Sequence, residues 1–207
     1  MGQYYYPIIL RQKGNRTFSN CFYAHDINHN GLKLTEHSWV GNSFTETVLA
    51  QLYNNPGRLI WFGDYTKKDD FEDDAFFKTL LRHYKKYRTE VDWSKPFDDP
   101  NRYLFNNYTH PEIVKQRLGR FILNHSKKLF IDMDYYENIA PKNEWTDAPL
   151  HPLPLLTCSG NGRGGGDYYG PNKEDCGCWA GDLIEVQDEV PEDYKEVTED
   201  CACYIDA

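Results

Sequence analysis

Arg120 to Asp132 reads RFILNHSKKLFID, two short apolar runs (FILNH and LFID) on either side of a turn near Ser126-Lys127. Apolar and β-branched residues broken by a polar turn predict a β-hairpin. Working outward, the other apolar runs are equally short. YYYPIIL at 4–10 reads as a strand, with Pro7 pointing to an edge or a bulge. CFYAHD at 21–26 and LKLTEH from Leu32 flank Asn30-Gly31, a pair that tolerates positive φ and so predicts a second hairpin. RLIWFGDY at 58–65, LPLLT at 153–157 and LIEV at 183–186 complete the strands.

Two stretches carry helical spacing instead. Ser43 opens a helix to about Asn54, with Glu46 completing a capping box and Phe44, Val48 and Leu52 on one face. A second helix runs from about Asp70 to Arg88, acidic in its first turn and basic in its last, with Phe77, Leu80, Leu81 and Tyr84 as its core stripe. Residues 93–111 hold Pro96, Pro100 and Pro111 and form an irregular connection. Strands outnumber helices and most are hairpin-linked. The fold class is therefore α+β, with an antiparallel or mixed sheet, two main helices and long irregular connections.

Composition bounds the function. The 207 residues include 16 Tyr, 11 Phe and 5 Trp, enough to build a core. No apolar run approaches the ~20 residues of a membrane-spanning helix. The N-terminus lacks the basic and apolar regions of a secretion signal, and Tyr6 stands where a myristoylation motif needs Ser or Thr. The formal net charge is −9, and residues 182–207 carry all of it, with ten acids against Lys195. The division is then a single α+β domain over 1–186 and an acidic C-terminal tail over 187–207. The balanced body holds no basic stripe, so direct nucleic-acid binding is not expected. The tail reads as a solvated terminus or as a docking arm for a basic partner.

Among six cysteines, Cys21 and Cys158 look solitary, while Cys176, Cys178, Cys201 and Cys203 form two C-x-C pairs. The pairs leave three options open: a structural zinc, a disulfide tie between them, or reduced thiols. Asp26, Asn28, Asn30 and Gly31 imitate the first half of a calcium loop, but His37 stands where the bidentate Glu belongs.

The most unusual segment is GNGRGGGDY, Gly160 to Tyr168. So many glycines cost conformational entropy, and they let backbone amides converge on an anion as a nest. Arg163 adds a fork for phosphate or carboxylate, and Asp167 can orient it. Gly160, Asn161, Gly162, Arg163, Gly164, Gly165, Asp167 and Tyr168 are thus the candidate ligand-binding residues. The G-x-G-x-x-G spacing is present, but no βαβ unit surrounds it, so it is not a dinucleotide fingerprint. His37, Asp64 and His125, each read at a strand end, are the candidate catalytic residues if the protein is an enzyme.

MGQYYYPIIL at 1–10, GLKLTEHSWVGN at 31–42, LIWFGDY at 59–65, LNHSKKLFID at 123–132, and LPLLTCSGNGRGGGDYYGPN with WAGDLIEV at 153–172 and 179–186 carry a resemblance. Together they resemble a family of small proteins of bacteria, mainly Gram-positive ones, and their phages, for which no activity is established. The resemblance implies a cytoplasmic setting, in a host cell if phage-encoded; the cysteine pairs and the tail lie outside its pattern. The resulting expectation is a ligand-recognition protein, with or without catalysis, that holds an anionic small molecule, a nucleotide first, at the glycine loop. The alternative is a phage-type inhibitor or adaptor that binds a host defence nuclease complex through protein contacts, and a plain interaction module is the third option.

Overall fold

A computed structural model of the chain describes residues 1–14, 16–89, 91–92, 94–95, 99, 112–114, 116–142 and 147–202. The expected connection over 93–111, Cys203 and the last four residues lie largely or wholly outside them. Among the described residues the fold is α+β: one mixed sheet of eight strands and six α-helices.

The sheet runs β2 (Arg16–Cys21), β1 (Tyr5–Lys13), β3 (Gly57–Gly63), β7 (Leu183–Gln187), β4 (Phe121–Asn124), β5 (Leu129–Asp132), β8 (Lys195–Glu196). All of these neighbours are antiparallel except β5 and β8, which are parallel. A short strand β6 (Cys158–Ser159) pairs parallel with the far end of β3, at Trp61 and Phe62. The hairpin of β4 and β5 forms over the residues that predict it, with Ile122 opposite Ile131.

Strands β1 and β3 are covered on both faces, which is why they read as unbroken apolar runs. Tyr5, Ile9, Leu59 and Trp61 point into the main core. There they meet Phe44, Val48 and Leu49 of α2 (Ser43–Ala50) and Leu153, Leu155 and Leu156 of α5 (Pro152–Thr157). Ile8, Leu10, Ile60 and Phe62 point the other way, onto Phe76 and Leu80 of α3 (Asp74–Thr89). Each such side chain contributes about 1.5–3 kcal/mol on burial. Phe76, rather than Phe77, is the deeper residue of the α3 stripe.

Several local expectations need correction. Pro7 sits in an interior strand; its neighbour Ile8 begins the pairing with β2, so no ladder bond to β2 is lost to the missing amide. LKLTEH forms a helical turn, α1 (Leu34–His37), because the Glu36 carboxylate reaches back to the Lys33 amide at 3.1 Å. LPLLT is helical. Pro152 opens α5, where a missing amide costs nothing, and the His151 ring accepts from the Leu153 amide at 3.2 Å. The cap of α2 is Asn42, whose side chain accepts from the amides of Phe44 and Thr45.

The C-terminal stretch is no loose arm as far as residue 202. Strand β8 lies against β5, Asp188 accepts from the Tyr53 hydroxyl, Asp193 pairs with Lys128, and the Thr198 hydroxyl accepts from the Asp132 amide. Helix α6 (Thr198–Ala202) then buries Thr198 and Cys201.

Candidate functional site

The glycine-rich loop leaves β6 and folds back over the N-terminal residues. Gly160, Gly162 and Gly166 hold φ of +84°, +88° and +85°, a region that L side chains rarely adopt. Close approach explains the rest. Gly165 exchanges backbone bonds with the N-terminus, donating to the Met1 carbonyl and accepting from the Gln3 amide, both at 3.1 Å. A Cβ on Gly164 would lie 2.5 Å from that of Gln3, and one on Gly166 would lie 2.1 Å from Lys33.

The loop does form a nest, and the chain itself fills it. The amides of Arg163 and Gly164 converge on one Asp167 oxygen at 2.7 and 2.8 Å. The other oxygen takes the Tyr5 hydroxyl at 2.8 Å. Burial and the surrounding thiols and carboxylate push the Tyr5 phenol far above its ordinary range, so it stays a donor. Asn161 clamps Tyr168 from both sides, accepting from its amide and donating to its carbonyl.

Arg163 is occupied too. It donates to the Tyr65 carbonyl at 3.0 Å and engages both Asp70 oxygens in a fork. Burial alone would raise the Asp70 carboxyl, yet Arg163 overrides it and holds the group below the usual carboxylate range. The residues expected to grip an outside anion therefore come together around the protein's own carboxylates.

The catalytic candidates are not gathered. His37 is fully buried, with Nδ1 2.9 Å from the Gly31 carbonyl and Nε2 accepting from the Trp61 indole at 2.8 Å. Burial drives its pKa down to about 4, so the ring is neutral and both nitrogens are spent. This is the arrangement of a packed core histidine. Asp64, just past β3, accepts from the Tyr4 amide at 3.1 Å. His125, beyond the end of β4, bridges Glu185 at 2.7 Å and the Tyr194 hydroxyl at 2.5 Å. Among the described residues no hydrogen bond, ion pair or ring contact joins these three.

The cysteine pairs are similarly dispersed. Cys176 packs against the main core, Cys178 is exposed and Cys201 is buried on α6. No three His, Cys, Asp or Glu side chains group as metal ligands among the described residues.

A different place carries unspent positive charge. A cavity of about 570 Å³ opens between β1, β3 and the start of α3, and Arg11 and Arg58 both line it. Arg11 donates to the carbonyls of Gln51, Asn55 and Pro56 and to the Asn20 side chain, all neutral acceptors. Among the described residues Arg58 gives only its Nε–H, to the Gly181 carbonyl at 2.7 Å, and it lays its guanidinium 3.9 Å over the Phe76 ring. Neither forms an ion pair with a carboxylate among the described residues. Asp73, the acid in the lining, uses Oδ1 to cap α3 at Ala75 and Phe76. Two guanidiniums against one carboxylate leave the cavity positive. Sequence reading missed this site because Arg11 and Arg58 stand in separate strands with no motif around either.

No family model, curated protein or solved structure matches the chain.

Proposed function

We propose that this chain recognises an anionic small molecule, a nucleotide or related phosphate first among them, in the cavity lined by Arg11 and Arg58. The observation that carries this reading is a pair of arginines lining one concave space, neither of them in an ion pair with a carboxylate among the described residues. The volume lies within the ~300–1,000 Å³ range of small-molecule sites. Arg58 supplies the recognition, because no described residue hydrogen-bonds its two terminal nitrogens while its Nε–H fixes the plane of the fork. Arg11 supplies a fixed field, its five donors mostly held by backbone carbonyls. Thr17 and Thr79 add hydroxyls, and Leu10 an apolar wall.

Calorimetric titration at low salt with ATP, GTP, inorganic phosphate and a dicarboxylate tests it. At least one should bind, and Arg58→Ala should weaken that binding roughly 10–100-fold, the value of a charge-assisted pair. Arg163→Ala should leave it unchanged. No binding by any of the four, or binding indifferent to Arg58, overturns the reading; loss with Arg163→Ala alone returns the site to the glycine loop.

A second reading keeps one supporting feature. Glu189, Glu192, Glu196 and Asp200 remain exposed on the folded C-terminal segment, so a basic surface of a host protein complex would meet a fixed acidic patch. Partner binding that is insensitive to salt would sink this alternative.

A further inference from the structure

The start of β6 and the turn after the glycine loop bring two thiols together. Cys158 is buried and donates its thiol to the Leu155 carbonyl at 3.1 Å. The same carbonyl accepts the Gly177 amide at 2.9 Å, which seats the 176–178 turn on the end of α5. Gly177 permits that approach. Its φ is +85°, and a Cβ there would stand 2.6 Å from the Cys158 carbonyl oxygen. Of the thiols beside it, Cys178 stays exposed, whereas Cys176 turns inward and packs on the core cluster that contains Cys158. Both thiols are free in this structure.

We propose that Cys158 and Cys176 form a thiol–disulfide exchange site, closed by a low-molecular-weight disulfide as oxidant. Cys176, the more accessible, loses its proton and attacks one sulfur of R–S–S–R. The old S–S bond breaks, a Cys176–S–S–R mixed disulfide forms, and RS⁻ leaves and takes up a proton. Cys158 then gives up its proton and attacks the Cys176 sulfur, expelling the second RS⁻ as RSH. Two protein thiols are oxidised by two electrons, and one disulfide is reduced to two thiols. Cys158 is buried while Cys176 is only half-buried, which assigns Cys158 the second attack, made from within the protein.

The bridge would close a ring from 158 to 176 that contains the whole glycine loop, including Asp167 and the residues that clasp the N-terminus. Oxidation would then lower the freedom of that clasp. The inference is independent of the arginine cavity.

The full chain, incubated with an oxidised and reduced glutathione series, decides the matter by non-reducing peptide mapping. The expected result is one crosslinked peptide joining 158 and 176, kept in Cys178→Ser and lost in Cys176→Ser, with amide exchange over 160–168 slowed several-fold. A bridge through Cys178 instead, a glutathione adduct on Cys176 that Cys158 never displaces, or unreacted thiols throughout the series would each overturn it.

Discussion

The glycine-rich loop and the arginine cavity both present guanidiniums and main-chain groups, and they use them in opposite ways. In the loop, Arg163 is forked onto Asp70, and the amides of Arg163 and Gly164 close on Asp167. In the cavity, Arg11 is held by neutral carbonyls and Arg58 by one carbonyl and one aromatic face. The loop has the composition of an anion site with its charge already cancelled; the cavity has no such composition, and its charge remains. The difference teaches that donor-rich sequence marks where an anion is held, while the balance of nearby carboxylates decides whether that anion is the protein's own.

The contrast breaks most readily at Asp167. Replacing it with Ala strands two amides and the Tyr5 hydroxyl, and should cost about 3 kcal/mol, given ~1–3 kcal/mol per buried unsatisfied group. Urea unfolding measures it; a loss below ~1 kcal/mol would mean that the nest is not closed by Asp167. Gly63→Ala probes the same clasp by crowding. Its Cβ would fall 2.0 Å from the Gln3 side-chain Nε2 and 2.6 Å from the Ser159 carbonyl oxygen, so about 2 kcal/mol should be lost. A neutral result would show that the N-terminal strand is free to shift. Arg58→Ala should do least, within about 1 kcal/mol by the same unfolding measurement, since it gives up one hydrogen bond and an exposed aromatic contact. A large loss there would make Arg58 a structural brace and remove the contrast.

Much of the framework is legible in the chain. FILNH and LFID become β4 and β5, RLIWFG becomes β3, and Phe44, Val48 and Leu52 all point inward as their spacing requires. LPLLT misleads because a short apolar run has no period to separate helix from strand, and Pro152 with His151 decides the matter locally. LKLTEH alternates like a strand, yet Glu36 folds back on Lys33 and closes a helical turn. The acidic segment after Val186 has the composition of a free arm; Tyr53, Lys128 and Asp132, distant in sequence, hold it down.

The candidate sites are less legible, for the same reason. GNGRGGGDY announces a nest, and Asp167 is the only hint in the segment that an internal carboxylate fills it. Arg163 and Asp70 are separated by 93 positions, so their pairing has no local signal. His37 shows what burial does to a promising residue: on a strand end it looks reactive, and beneath Phe44 and Trp61 it is a neutral packing group.

The clasp between Tyr5 and Asp167 spans 162 positions. At ~5–20 residues per second of synthesis, the opening strand waits roughly 8–32 seconds on the ribosome for the segment that completes it. Until then β1 can pair with β2 and β3 but lacks the cap over its first residues. Maturation of this part of the molecule therefore lags the synthesis of β1 by that interval, which leaves its tyrosine-rich segment open to chaperones or to its neighbours on the same message.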